Sequence, residues 1–160
     1  MVVVLFSQVV MGATEDCKPG MITYVDDGDT AKIKHDDGVR ANIRFYGVDS
    51  PEKKWAGRWP AQPFSGQAKE HVKQLILNKR VCVRYTGDQT YSRKVGEIFI
   101  NNQSVSRSVV AAGLAWWNTK YAPNDTVLRK LESSARKNKK GLWSQAKPEA
   151  PWTFRRRHRK

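Results

Sequence analysis

Residues 20–48, GMITYVDDGDTAKIKHDDGVRANIRFYGV, contain three consecutive strand-like runs. Met21–Asp26 and Thr30–His35 flank a Gly-Asp turn, and Asp36-Asp37-Gly38 is a hairpin signal before Val39–Val48. In the last run side-chain character alternates, which predicts a sheet with one buried face. The two predicted faces are Val39, Ala41, Ile43 and Phe45, and Arg40, Asn42, Arg44 and Tyr46.

The remaining chain continues with elements of both kinds. Residues 50–66 are rich in Pro, Gly, Trp and Lys and predict a long loop, followed by a helix over 66–78 capped by Ser65. Two strands, Arg80–Thr86 and Lys94–Ile100, come next. Two further helices are predicted. Ser104 caps the first, in which Val105, Val109 and Ala112 face inward. Asn124 or Asp125 caps the second, whose apolar residues are Val127, Leu128, Leu131 and Ala135. This order predicts an α+β fold, a five-stranded OB-fold Greek-key barrel with three helices.

Composition indicates one domain with a polyanionic partner. The chain has 160 residues, 29 Lys and Arg against 15 Asp and Glu, and a formal net charge of +14. Such a basic protein suits nucleic acid or an anionic membrane surface. No apolar run reaches the roughly 18 residues that cross a bilayer, and no long basic amphipathic helix supports membrane-surface binding. Two Cys exclude a disulfide-rich scaffold and a four-thiolate zinc site.

The chain divides into an N-terminal segment (1–19), a folded domain (20–151) and a basic C-terminal tail (152–160). Residues 2–11, VVVLFSQVVM, are either the apolar stretch of a secretory signal or a β-branched first strand. A signal would place the protein outside the cell or in the periplasm. There Cys17 and Cys82 would pair, whereas the alternative is a free Cys82. The tail residues Arg155–Lys160, RRRHRK, predict a disordered electrostatic arm.

Acidic residues are concentrated within one short window of this basic chain. Between residues 26 and 52 there are seven acids and only four bases. Either these acids belong to ordinary turns, or some of them form a metal site surrounded by phosphate-binding cations. If the turn before the second strand meets the end of the third, Asp29 and Asp49 can share a hard cation, leaving Glu52 to act on water.

Five short motifs occur in order along the domain. They are VDDGDT (25–30), IRFYGVDSPE (43–52), YSR (91–93), GLAW (113–116) and KKGLW (139–143). From Gly20 to Pro151 the chain resembles the staphylococcal nuclease family. The resemblance implies Ca²⁺-dependent hydrolysis of phosphodiesters in DNA and RNA with little sequence specificity, leaving 3′-phosphate ends. It implies these roles: Asp29, Asp49 and the Ser50 carbonyl bind Ca²⁺, Glu52 activates water, Arg44 and Arg93 hold the phosphate, and Tyr91 and Tyr121 lie against the nucleotide.

Two departures from the family pattern bear on substrate preference. Ser92 stands where Gly is common, and Thr119 stands where the staphylococcal enzyme has another Tyr. Trp55 and Trp59 in the long loop either stack on bases or pack the loop. The alternative function is a non-catalytic nucleic-acid-binding barrel. We expect a monomer without an obligate protein partner or stable membrane association.

Overall fold

The computed structural model describes residues 17–159. Within this range the strands are β1 (Lys18–Val25), β2 (Thr30–His35), β3 (Arg40–Phe45), β4 (Val48–Asp49), β5 (Arg80–Thr90), β6 (Arg93–Ile100), β7 (Gln103–Ser104) and β8 (Trp116–Trp117). The helices are α1 (Ser65–Ile76), α2 (Val105–Ala111), α3 (Thr126–Lys137) and α4 (Pro151–His158), with a 3-10 helix at Gly141–Ser144.

Five strands close into a barrel. The antiparallel order β3-β2-β1-β5-β6 is closed by a parallel pairing of β3 with β6, in which Arg44 lies opposite Val95. β7 extends the edge of β6, and β4 pairs separately with β8. The predicted fold class, an α+β protein built on a five-stranded OB-type barrel, is confirmed. The parallel closure matters for function because it fixes β3, which carries Arg44, between two neighbours.

Alternation along the strands builds the core. Ile43 and Phe45 of β3 are buried as predicted, and α1, α2 and α3 cover the barrel with Val72, Val109 and Leu128. Two of the apolar residues assigned to the buried faces are exposed: Val39, which precedes β3 in the hairpin turn, and Val127, in the first turn of α3. Ala112, just after α2, is partly buried.

The predicted strand Val39–Val48 is divided into two. Tyr46 and Gly47 form a turn between β3 and β4, and Gly47 has a φ of 70°, a left-handed conformation that glycine adopts without strain. A side chain at Gly47 would also lie 2.7 Å from Leu128 Cδ1. The turn redirects the chain, so that Asp49 leaves the barrel strand and pairs with β8 instead.

Helix caps follow the sequence signals in two of three cases. Ser104 accepts a hydrogen bond from the Arg107 backbone, and Asp125 accepts bonds from Val127 and Leu128. Ser65 was wrongly predicted as a cap. It is the first residue of α1, and Phe64 before it has left-handed backbone geometry.

The prediction for the basic C-terminal residues was also wrong. Of the arm predicted over Arg155–Lys160, residues 155–158 lie in α4, a fourth helix beyond the three expected. Pro151 occupies its first turn, a position that tolerates the missing N–H, and Phe154 is buried. The helix therefore packs on the domain through an apolar residue, while its arginines lie on the remaining faces.

Cys17 and Cys82 form a disulfide, with their Cα atoms 5.4 Å apart. Of the two alternatives for Cys82, the structure has the paired one, and it fastens the start of β1 to β5. Residues 2–11, for which we predicted a signal or a first strand, lie outside the described residues. Among residues 17–159 no helix is long and apolar enough to cross a bilayer.

Candidate active site

The turn between β1 and β2 supplies the first carboxylate. Asp27 accepts a hydrogen bond from the Asp29 backbone N–H at 3.1 Å, which sets the turn. The buried Asp29 carboxylate accepts the Ser50 N–H at 2.7 Å on Oδ2 and the Thr30 hydroxyl at 3.0 Å on Oδ1. These bonds hold Asp29 in one orientation and join the turn to the segment after β4.

Glycine at position 28 allows that contact. A Cβ added to Gly28 would lie 2.7 Å from both Ser50 Cβ and Ala68 Cβ, closer than packed carbon atoms approach. The turn therefore fits between the Ser50 segment and α1 only because it lacks a side chain there.

Arg44 joins the first carboxylate to the second. Thr30 of β2 pairs with Arg44 of β3, which brings the guanidinium beside the turn. Its Nη1 lies 2.8 Å from Asp29 Oδ1 and its Nη2 lies 2.8 Å from Asp49 Oδ1, with only 14% of the side chain exposed. Both carboxylates are thus held by the two arms of one planar fork, an arrangement that lysine could not reproduce.

Mutual attraction keeps these buried groups ionised. Burial alone would raise the pKa of Asp29, but the Arg44 charge and the Ser50 hydrogen bonds hold it below its ordinary value. Burial alone would lower the pKa of Arg44, but Asp29 and Asp49 raise it overall. Burial raises the pKa of Asp27 to about 8, the Asp29 charge adds to this shift, and Arg44 opposes it only in part. Asp27 therefore holds a proton more readily than Asp29 does.

Glu52 lies at the rim of the site, and Gln62 holds its backbone in place. Its backbone N–H donates to Gln62 Oε1 at 3.0 Å, and the buried Gln62 donates in turn to the Glu149 carbonyl at 2.6 Å. Burial raises the pKa of Glu52, and the nearby Arg155 opposes this shift only in part. A carboxylate with a raised pKa is a stronger proton acceptor near neutral pH.

Arg155 is a member of the site that the sequence did not predict. From α4 its guanidinium reaches both oxygens of Asp49, with Nη1 3.1 Å from Oδ1 and Nη2 2.8 Å from Oδ2, and Nη1 also bonds Glu52. Asp49 thereby lies between two arginines, Arg44 and Arg155. The only sequence signal was Pro151, a residue typical of a helix start, ahead of the basic run. Nothing in the sequence indicated Gln62.

The remaining predicted residues lie at the periphery. Arg93 is partly buried and donates to the Thr30 hydroxyl at 3.1 Å, so it reaches the Asp29 turn through one intervening side chain. Tyr91 is 89% exposed, in the turn between β5 and β6. Tyr121 is 62% exposed and lines an open cavity of about 430 Å³ together with Tyr46 and Arg107. The structure thus brings Asp29, Arg44, Asp49, Ser50 and Glu52 together, connects Arg93 indirectly, and leaves the tyrosines on the surface.

The two tryptophans of the long loop differ in exposure. Trp59 is buried and its indole N–H donates to the Lys53 carbonyl, so it packs the loop. Trp55 is 52% exposed, contacts Trp59 edge-on and carries the Arg58 guanidinium over its ring. Packing therefore accounts for Trp59.

The oxygen atoms of Asp29 and Asp49 suit a hard cation that takes only a few of its ligands from the protein. Asp29 and Asp49 offer carboxylate oxygens, a donor type that favours Ca²⁺ or Mg²⁺ over softer metals. Within residues 17–159 no group of three or more His, Cys, Asp or Glu is arranged to hold a metal. A cation bound to the two carboxylates would therefore complete its shell with carbonyl, water and substrate oxygens. This is common for ions that handle phosphate.

Comparisons with known proteins show which chains this sequence is similar to. A family model described as staphylococcal nuclease homologue matches residues 42–145. An uncharacterized endonuclease of Escherichia coli O157:H7 is 36% identical over 140 residues, or 86% of this chain and 85% of that protein. The staphylococcal-like nuclease CAN1 of Arabidopsis thaliana is 32% identical over 117 residues, which cover 73% of this chain and 34% of the plant protein. The probable endonuclease LCL3 of Komagataella phaffii is 34% identical over 124 residues, or 72% of this chain and 54% of the yeast protein.

Proposed function

Because the chain belongs to the staphylococcal nuclease homologue family, we propose that it is a Ca²⁺-dependent nuclease. It hydrolyses phosphodiester bonds of DNA and RNA with little sequence specificity and leaves 3′-phosphate ends. One observation supports this most directly. Arg44 bridges two buried carboxylates, Asp29 and Asp49, within a few residues of Glu52, and all four come from the motifs that resemble the family.

Each protein group has a role in such a reaction. Glu52, with a pKa raised by burial, accepts a proton from the attacking water. Arg44 remains charged and buried, so it stabilises negative charge that develops on the phosphate. Arg93 lies one side chain away and supplies a second guanidinium for the same phosphate. Tyr91 and Tyr121 have exposed rings on which a nucleotide base could stack.

Asp29, Asp49 and the Ser50 carbonyl would hold the Ca²⁺. When bound, the ion would supply positive charge that polarises the phosphate and orients the oxygens around it. The protein's own contribution is rigidity, since Asp29 is fixed by the Ser50 N–H and the Thr30 hydroxyl.

A cleavage assay with matched variants tests the proposal. Purified full chain is incubated with single- and double-stranded DNA and RNA in Ca²⁺, in Mg²⁺ and in chelator. We expect cleavage in Ca²⁺ that stops with chelator, and products whose 3′ ends a polymerase extends only after phosphatase treatment. Arg44→Ala should lower turnover ~10²–10³-fold, roughly 3–4 kcal/mol, as loss of one transition-state donor does. Arg40→Ala removes an exposed arginine of the same strand and should leave activity unchanged.

Two results would contradict the nuclease assignment. One is the absence of Ca²⁺-dependent cleavage by a folded protein that still binds nucleic acid, which would favour the non-catalytic barrel. The other is equal activity in the Arg44→Ala and Arg40→Ala variants, which would remove Arg44 from the mechanism.

We also propose that the protein acts as a secreted or periplasmic monomer. The Cys17–Cys82 disulfide supports export, because such bonds persist in oxidising compartments and are rare in the cytosol. Cell fractionation with thiol labelling checks this, and a cytosolic protein with two reactive thiols would contradict it.

A further inference from the structure

The contacts of Arg155 with the site carboxylates are unusual because they come from a peripheral helix. α4 is anchored by the buried Phe154 and by Trp152, whose ring contacts Trp116 edge-on. Neither anchor involves the Arg155 side chain, which is 28% exposed and extends from the helix into the site. There it is held by Asp49 and Glu52.

Arg155 covers atoms that the proposed reaction uses. Asp49 Oδ1 already accepts from Arg44 at 2.8 Å, and Arg155 adds a second bond at 3.1 Å, while Oδ2 accepts from Arg155 at 2.8 Å. Both oxygens of a proposed Ca²⁺ ligand thus face guanidinium protons. The same Arg155 nitrogen bonds Glu52, so the proposed base is engaged as well.

A guanidinium and a divalent cation cannot both occupy these oxygens. They carry the same sign of charge and repel each other. Of the four lone pairs of the Asp49 carboxylate, Arg155 takes two and Arg44 takes a third, so a metal that binds both oxygens has to displace Arg155. We propose that Arg155 is an internal competitor for the metal site. It neutralises Asp49 and Glu52 in the metal-free protein and leaves them when Ca²⁺ binds, so α4 lowers the apparent Ca²⁺ affinity of the nuclease. This inference rests on the proposed function, since it takes Asp49 as a Ca²⁺ ligand.

Calorimetric titration of the full chain with Ca²⁺, without nucleic acid, tests the competition. Arg155→Gln removes the positive charge and the paired N–H groups that bind the two Asp49 oxygens. It should lower the Kd for Ca²⁺ at least tenfold. Arg156→Gln is the matched control, since Arg156 is the next residue, is exposed and carries the same charge. It should change the Kd by no more than about twofold, as a screened surface charge does.

Two further measurements keep the test independent of folding effects. Arg155→Lys retains the charge but cannot bind both Asp49 oxygens, so its Kd for Ca²⁺ should lie between those of the parent and Arg155→Gln.

Thermal unfolding supplies a second readout. Metal-free Arg155→Gln should melt below the parent, and saturating Ca²⁺ should raise its melting temperature by more than it raises the parent's.

The outcomes separate the two proposals. Equal Kd values in the parent and Arg155→Gln, or equal gains in Arg155→Gln and Arg156→Gln, would overturn the competition while leaving Ca²⁺-dependent cleavage intact. A weaker Ca²⁺ affinity in Arg155→Gln would make Arg155 a supporting residue and also overturn it. A parent protein that neither binds Ca²⁺ nor cleaves nucleic acid in its presence would end both proposals.

Discussion

Replacing Gln62 by Ala removes the side chain that connects the proposed base to the C-terminal segment. Gln62 accepts the Glu52 N–H at 3.0 Å and donates to the Glu149 carbonyl at 2.6 Å, across 87 residues of sequence. Its side chain is buried, so water does not readily substitute for either bond. We therefore expect the variant to lose both fold stability and catalytic competence.

The magnitude follows from the two bonds and the burial. Each hydrogen bond contributes about 1 kcal/mol net, and truncation of the buried stem adds roughly 1 kcal/mol, which gives about 2–4 kcal/mol in total. For a domain of this size each kcal/mol shifts the melting temperature by roughly 2–4 °C. Denaturant unfolding in chelator measures the loss without a contribution from bound metal.

The catalytic effect should fall on turnover more than on substrate binding. Gln62 touches the backbone of Glu52 and not the predicted phosphate ligands Arg44 and Arg93. Misplacing the base should lower kcat ~10-fold or more while KM changes little. The control is Gln67→Ala, which truncates an exposed glutamine of α1. If Gln62→Ala unfolds at the same denaturant concentration as this control, the two bonds do not hold the site together.

Three further predictions follow from individual contacts. Gly28→Ala should cost about 1–3 kcal/mol of stability, because its new methyl group would lie 2.7 Å from two side-chain carbons, whereas Gly66→Ala meets nothing within 4 Å; urea unfolding that ranks the two equally would contradict this. Replacing Cys17 and Cys82 by Ser should cost roughly 4 kcal/mol, since the disulfide closes a loop with a sequence separation of 65; a melting temperature insensitive to the change would disprove it. Burial lowers the pKa of His71, so its stabilising contribution is complete above the ordinary value of 6.5 and is lost as pH falls below it. His71→Gln should therefore lose less stability than the parent between pH 7.5 and 5.5, and parallel losses would refute the argument.

The barrel could be predicted because its determinants are local. Alternation within β2 and β3 and the Asp-Gly turn between them are visible in one 29-residue stretch. The predicted strand was continued to Val48, although this apolar residue falls on the same face as Arg44 and Tyr46 and so already breaks the alternation. Only the pairing with Trp116 and Trp117, distant in sequence, shows that Val48 and Asp49 belong to another strand.

The acidic window predicted the site only in part. Asp29, Asp49 and Glu52 converge, and Asp27 lies beside them. Other acids of the same window instead pair with lysine or arginine at the surface: Asp26 with Lys53, Asp36 with Arg80 and Asp37 with Lys18. These surface pairs agree with the turn interpretation, while the metal site at Asp29 and Asp49 stays a prediction. Position in the sequence did not separate the two groups, because Asp26 and Asp29 lie in the same turn and only Asp29 is buried.

Arg155 could not be assigned from sequence because a basic run has the same composition whether it is solvated or docked. The three arginines near the site differ in what holds them. Arg44 lies in the middle of the barrel, where the β2–β3 register and the parallel pairing with β6 fix its backbone beside both carboxylates. Arg93 begins β6 and is fixed by the same closure. Arg155 lies on α4, which is anchored by Phe154 and Trp152, so no backbone pairing of the barrel depends on its side chain. Exchange of a guanidinium for a metal therefore requires the least structural change at Arg155.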